Sequence, residues 1–294
     1  VPITAKTTKL YNTHFGGYFF TQPSFEVFMS HTLHIYDANN HIRRAFERGD
    51  SVTDLIHIAP TEVSIWVFDG VGAKKPRLAL YPEYKAKRNV QGAIDSGFFD
   101  FLRAIETDLL KHCKNTFVMK QPCMEADDVI AALVEQYRAS QQILIHSNDA
   151  DFQALVDENV SVSDRSKKLA HVEPHDIRLY KTLVGDASDN IGGIEGFGDG
   201  KWQVLTETDK EAWRCFLKEE IPEWMGDNLY PLNGLTKKPL EWMKVTENQQ
   251  LLRVYWQIVG FLPVNMQELS DKYTSVGVYN PAKFQETLDK FMWS

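Results

Sequence analysis

No stretch of this chain approaches the roughly 20 apolar residues that span a bilayer. The longest candidate, Leu251 to Val264, is broken by Arg253 and Gln257 and reads as a buried helix end. Cysteine is scarce: Cys113, Cys123 and Cys215 are an odd number at unrelated spacings, which argues against a disulfide framework or a zinc cluster and leaves three reduced, buried thiols as the expectation. Histidine pairs are few, and in His171/His175 the intervening Pro174 denies the two rings a shared helical face. The first thirty residues lack a basic segment followed by an apolar core and a small-residue cleavage site. They show neither helical nor strand periodicity, so residues 1–30 read as an N-terminal extension and the expected setting is cytoplasmic. Repeats and low-complexity tracts are missing as well. So is an excess of positive charge: 32 Lys and Arg against 40 Asp and Glu leave −8, which at first speaks against nucleic acid.

What remains is an ordinary globular composition, with 43% apolar and 24% charged residues in 294. That is enough chain for one large or two modest domains. From Leu33 onward, short apolar runs alternate with helical patterns, the signature of a parallel sheet with crossover helices. The strand candidates are Leu33–Tyr36, Val63–Phe68, Thr116–Met119 and Ile143–His146. Between them, Phe98, Phe101, Leu102, Ile105 and Leu109 form a helical stripe over Gly97 to His112. Val129, Ile130, Leu133, Val134 and Tyr137 form another. After about Asp176 the strands stop, and residues 177–294 read as helices, with Gln250 to Phe261 a late apolar one. The division is therefore an α/β domain over 31–176 and a helical domain over 177–294.

Acidic residues fall at informative places. The first strand ends in Asp37, the second in Asp69, and the fourth in Asp149 and Asp151, so three strands deliver carboxylates to one edge of a parallel sheet. Glu125, Asp127 and Asp128 crowd the start of the helix after the third strand. Taken alone, that trio is either a solvated helix start or a cation site. Two carboxylates about 4 Å apart repel by roughly 4 kcal/mol at an effective dielectric near 20, and seven converging on one crevice call for cations. Oxygen ligands without histidine or cysteine favour Mg²⁺ or Mn²⁺, and two such ions suit phosphodiester hydrolysis. Asp186 and Asp189, three apart, fit one side of a helix end and add two more acids.

Without those nine acids the formal charge of −8 becomes +1, so the rest of the surface need not repel DNA. Lys74, Lys75, Arg77, Lys85, Lys87 and Arg88 lie within fifteen residues, interleaved with Tyr81 and Tyr84. They form either a solvated basic loop or a phosphate-binding segment in which a tyrosine stacks on a base. The glycine-spaced stretch Gly192–Gly200 before Lys201 is either an interhelix turn or an approach for backbone amides to phosphate.

In this order the motifs resemble the 5′-nuclease family: the exonuclease domain of bacterial DNA polymerase I, the flap endonucleases and the phage 5′-exonucleases. Asp37 to Ala45 with Arg44, then Phe68-Asp69, Arg77 with Tyr81–Arg88, Glu125–Asp128, Asp149–Phe152 and Gly185–Ile191 carry the likeness over roughly residues 33–210. It implies a PIN-like (resolvase-like) mostly parallel sheet flanked by helices, followed by a helical domain with a helix-hairpin-helix (helix-3-turn-helix) motif. It also implies one metal position at Asp37, Asp69, Glu125 and Asp127, supported by Asp128, and a second at Asp149, Asp151, Asp186 and Asp189. Two Mg²⁺ would occupy them, or Mn²⁺ in their place. Lys85 and Arg88 would hold the scissile phosphate and Tyr84 would stack on substrate. Arg44, Lys74, Lys75, Arg77 and Lys87 would contact DNA, while Gly193, Gly196, Gly198 and Lys201 would grip the duplex with a bound K⁺.

Three departures stand out: Ala38 where glycine is usual, Gly200 at a position often held by lysine, and only about eight residues between Arg88 and the helix near Gly97. The short arch is more like the phage exonucleases, which implies the host cytoplasm. The implied activity is a 5′-3′ exonuclease on duplex DNA, extending to RNA in RNA-DNA hybrids and to 5′ flaps. The chain would act as a monomer, away from membranes and with replication proteins as partners. A structure-specific flap endonuclease and a non-catalytic DNA-binding protein remain the alternatives.

Overall fold

Each of the four expected runs is a strand: β1 (Leu33–Asp37), β2 (Val63–Val67), β3 (Thr116–Met119) and β4 (Ile143–His146). The computed structural model describes residues 32–50, 52–55, 62–87, 96–164, 169–220 and 235–292, so the extension 1–30 and Arg88 lie outside the described residues. Two short strands, β5 (Val160–Val162) and β6 (Thr274–Val276), complete a sheet of order β5-β4-β1-β2-β3-β6. All pairings are parallel except β3 with β6. The chain moves outward from β1 through β2 to β3 and then returns to place β4 on the other side of β1. That reversal between β1 and β4 makes the crevice at their C-terminal ends the favoured ligand position of an open α/β sheet.

Helices follow in chain order as α1 (Ala38–Arg48), α2 (Val52–Leu55), α3 (Lys75–Leu80), α4 (Ser96–Ala104), α5 (Ala126–Tyr137) and α6 (Ile177–Val184). The rest are α7 (Asp199–Trp202), α8 (Glu207–Lys218), α9 (Lys237–Met243), α10 (Thr246–Val259), α11 (Met266–Tyr273) and α12 (Pro281–Met292). Alternate side chains of each strand point to opposite faces. Ile35, Ile65, Val67, Phe117, Met119 and Ile145 therefore pack with Val129, Ile130 and Leu133 of α5, while Tyr36, Trp66 and Val118 pack with Ile42, Phe98 and Leu102 on the other side. A strand buried on both faces reads as a continuous apolar run, which is why these runs were conspicuous in the sequence. A third cluster, around Trp213, Phe197, Leu183, Tyr255 and Leu252, holds α6 to α10 together.

Four expectations change. The helix foreseen over Gly97 to His112 is α-helical only to Ala104; a π-helical turn over Ile105–Leu109 and a 3₁₀ turn over Leu110–His112 complete it. The wider turn brings Ile105, Leu109 and Leu110 into the core together. The late helix begins at Thr246, earlier than expected, and ends at Val259. Strands do not stop at 176, because β6 returns to pair with β3 and covers an otherwise open sheet edge. Three residues are too few for a periodic signal. Among the free cysteines only Cys215 is fully buried, while Cys113 is half-buried and Cys123 is exposed. Among the described residues no helix is long and apolar enough to cross a membrane.

Candidate active site

Asp37 closes β1 and caps α1, accepting from the Asn40 amide at 3.4 Å. Its other oxygen accepts from the Ser147 hydroxyl at 2.9 Å, and the Ser147 oxygen in turn accepts from the Asp149 amide at 3.0 Å. Ser147 thus ties the ends of β1 and β4 together. Asp149 caps a 3₁₀ helix over Ala150–Leu155 by accepting from the Asp151 amide at 3.0 Å, which holds the two acids in a fixed relation. Asp69, just past β2, accepts from the Ala126 amide at 2.9 Å and so caps α5 from another strand, while Asn39 accepts from its own amide at 3.0 Å.

Because Asp69 caps α5, Glu125 is released from that task and makes no cap bond. Its carboxylate instead accepts from Lys85 Nζ at 2.6 Å, Arg77 Nη1 at 2.8 Å and the Tyr84 hydroxyl at 3.0 Å. The acidic trio is therefore not simply a solvated helix start. Glu125 and Asp128 share Arg77, while Asp127 makes no ion pair among the described residues and is crowded by Asp37 and Asp149.

Carboxylate oxygens of Asp127, Asp149 and Asp151 all lie within 4.8 Å of one another. Burial, and then the charges of Asp69 and Asp149, push the Asp37 carboxyl up to about 7. Burial and the neighbouring Asp37 and Asp149 raise Asp127 as well. Other acids are compensated. Burial would raise Glu125, but Lys85 and Arg77 hold it below the ordinary carboxylate range. Burial likewise opposes ionisation of Asp186, yet the Lys181 ammonium at 2.7 Å and the Ser188 hydroxyl and amide bring it down to about 2. Lys181 also contacts Asp151. The crevice therefore has one part, at Asp37, Asp127 and Asp149, without an ion pair among the described residues, and two parts paired with internal cations.

Several expected positions are corrected. Asp128 is wholly buried: Arg77 donates to both of its oxygens at 2.7 Å, and the Leu262 amide donates at 2.7 Å. It is a counter-ion in the interior rather than a metal ligand. Arg77, 4% exposed, also donates to the carbonyls of Ile258 and Gly260, so all five of its N–H groups are used inside the protein and it cannot contact DNA. Tyr84 is buried too and bonded to Glu125, so its ring has no face free to stack on a base. Asp186 and Asp189 do not share a helix end, because α6 stops at Gly185 and both acids lie in the following turn.

Lys74, Lys75 and Lys87 are exposed as expected. Arg44 reaches Asp164 at 2.6 Å. Lys85 is buried against Glu125, with its backbone in the left-handed region at φ 53 and its amide donating to the Asp189 carbonyl at 3.1 Å. Asn190 donates to the Glu83 carbonyl at 2.9 Å. The basic segment is thereby fastened to the 186–190 turn. Ser147 and Lys181 escaped the sequence reading, since a serine after a strand and a lysine in an amphipathic helix carry no distinguishing signal.

The turn after α6 depends on close backbone approach. Gly193 is buried rather than presented to a duplex, with φ 62, and a Cβ there would fall 2.6 Å from the Leu183 carbonyl oxygen and from the Gly185 nitrogen. Gly196, Gly198 and Gly200 are exposed. Gly193→Ala is expected to destabilise the protein by about 2–4 kcal/mol, from the left-handed backbone and the clash together. Urea unfolding measures it, and Gly198→Ala, where a Cβ meets nothing within 4 Å, serves as the control.

Another acidic cluster, His175, Asp176 and Glu207, is closed to cations, because Lys210 and Arg214 already pair with the fully buried Asp176.

Residues 25–180 match the family described as 5′-3′ exonuclease, N-terminal resolvase-like domain. A 5′-3′ exonuclease of Mycoplasmopsis pulmonis is 32% identical over 223 residues, covering 72% of this chain and 69% of that protein. A flap endonuclease of Escherichia phage T5 is 30% identical over 143 residues, 42% of this chain and 48% of that protein. Among solved structures, the T5 D15 protein crystallised with metal ions has a TM-score of 0.53 at 20% identity, covering 89% of this chain and 97% of that one. A complex of the T5 D15 flap endonuclease with DNA and metal ions has a TM-score of 0.50 at the same identity. At that identity the likeness is one of fold.

Proposed function

Because the chain belongs to the 5′-3′ exonuclease family, we propose that it is a divalent-metal-dependent nuclease hydrolysing phosphodiester bonds from the 5′ ends of duplex DNA. The observation that carries this reading is the part of the crevice whose acids make no ion pair among the described residues. Asp37 and Asp127, both raised by burial and by other carboxylates, sit beside the converging oxygens of Asp149 and Asp151. Such a donor set fits a hard cation bound through oxygen. Asp37, Asp69, Glu125 and Asp127 would hold one ion, and Asp149, Asp151, Asp186 and Asp189 a second. When bound, divalent ions supply positive charge to the phosphodiester oxygens and lower the pKa of the attacking water.

The chain's own groups do the positioning. Lys85, with its left-handed backbone and its ammonium buried against Glu125, is proposed, together with Arg88, to receive the scissile phosphate. Exposed Lys74, Lys75 and Lys87 suit backbone phosphates, which fix register without reading sequence. Gly196, Gly198 and Lys201 are proposed to grip the duplex in a helix-hairpin-helix with K⁺. In this reading residues 31–176 perform hydrolysis and 177–294 mainly bind the duplex. Support for metal and DNA comes from the T5 protein, whose structures were obtained with both.

The test compares a 5′-labelled blunt duplex, a 5′-flap duplex and an RNA-DNA hybrid, each with Mg²⁺, Mn²⁺ or chelator. Metal-dependent release of label from the duplex end is the expected result. Dominant cleavage at the flap junction would make it a flap endonuclease, and binding without hydrolysis would overturn the nuclease reading.

Metal and pH are linked. Asp37 has a folded value of about 7 against an ordinary 3.8, so the folded state binds that proton more tightly. Without metal its contribution is full below about 4 and is lost as pH rises through about 7. A cation removes the repulsion only where the carboxylate is ionised. Saturating Mg²⁺ is therefore expected to raise the thermal midpoint by about 5–10 °C at pH 8 and by little at pH 5.5. Equal shifts at both pH values would contradict this.

A further inference from the structure

Lys181 lies in the last turn of α6 and is 7% exposed, on a helix pinned by the fully buried Leu179, Thr182 and Leu183. Its ammonium contacts Asp151 and lies 2.7 Å from Asp186 Oδ2, while Asp186 Oδ1 accepts from the Ser188 amide and hydroxyl. Both acids belong to the second proposed ion position. By contrast, Asp37, Asp127 and Asp149 make no ion pair among the described residues. The two positions thus differ: at the first, Lys85 and Arg77 pair with Glu125 alone, whereas at the second a single ammonium bridges two of the proposed ligands.

We propose that Lys181 is an internal cation that occupies the second position until a divalent ion displaces it. It thereby separates the two ions into an early tight step and a late weak one, and it sets the metal concentration at which the site becomes complete. This rests on the metal-dependent reading given above. The charges support it: an ammonium neutralises one of two carboxylates, whereas a divalent ion neutralises both, so exchange is favourable once the ion is abundant. A like charge a few ångströms from the incoming ion opposes its entry. Space for the exchange exists, since a cavity of about 280 Å³ borders Lys181 and Asp151, between Leu155, Arg178 and Phe261. The four-carbon stem can withdraw there without moving the helix. With only the first position filled, DNA can be held without being cut.

The test is Mn²⁺ titration of the full chain by calorimetry and by electron paramagnetic resonance of free Mn²⁺, comparing wild type with Lys181→Met and Lys181→Gln. Wild type is expected to bind in two separated steps. In both variants the second step should tighten by about tenfold or more and merge with the first, a change of about 1.4 kcal/mol. The metal-free thermal midpoint should fall in the variants and recover at saturating Mn²⁺. A second step that is unchanged or weaker in both variants would reduce Lys181 to a structural ion pair while leaving the nuclease reading intact. Failure of wild type to bind Mn²⁺ would overturn both.

Discussion

Asp127→Asn is expected to lower metal-dependent cleavage by about 1,000-fold or more, equivalent to about 4 kcal/mol of transition-state stabilisation, while raising the stability of the metal-free protein. The two effects share one cause. Asp127 sits at the start of α5 with its carboxyl crowded by Asp37 and Asp149 and no ion pair among the described residues. Asparagine keeps the size and removes the charge, so an ion loses an anionic ligand and the neighbouring acids lose a repulsive partner. Duplex binding in Ca²⁺ or chelator should stay within about threefold, because phosphate contacts elsewhere supply most of the affinity. Active sites often store instability in this way. Loss of cleavage accompanied by a lower metal-free midpoint would assign Asp127 to structure instead.

Arg77→Met is expected to have the largest effect on folding. The guanidinium spends every donor on Glu125, Asp128 and the carbonyls at the end of α10. Removing it leaves the wholly buried Asp128 without its cation, and breaking a buried pair from one side costs about 3–5 kcal/mol. At roughly 2–4 °C per kcal/mol for a chain of this size, the midpoint should fall by about 10 °C. Lysine supplies the charge but not the fork, so Arg77→Lys should recover only part of the loss. The double variant Arg77→Met/Asp128→Leu should be more stable than Arg77→Met alone, since no charge is left stranded. Equal instability of the two would show that the carbonyl bonds, not the ion pair, hold this junction.

The strands and the faces of α5 were legible because each lies in a local pattern: a β-branched run buried on both sides, or an apolar stripe at helical spacing. So were most of the acids that meet in the crevice, since parallel strands must end on one edge. Asp37, Asp69, Asp149 and Asp151 needed no more than that rule. β6 was not legible, as three residues at the far end of the chain pair with β3 for reasons that lie in β3. The π-helical turn was not either, because a helical stripe and a stripe with one added residue look alike in the sequence.

Charge assignments failed where they were read by type alone. Arg77, Tyr84 and Asp128 stand in motifs of basic, aromatic and acidic residues, and each suggested a surface role. All three are interior: the end of α10 and the residues after it bond to Arg77 and Asp128, Tyr84 bonds to Glu125, and a buried carboxylate must be met by a cation from whatever element lies nearest. Local order along the chain is enough to establish which residue types reach the sheet edge and hence the class of chemistry there. Which of those acids remain free for a cation, and which are already neutralised by Arg77, Lys85 or Lys181, depends, apart from the local Lys181–Asp186 pair, on contacts between residues about 30 to 50 positions apart, and desolvation makes those pairings obligatory only once the chain has folded.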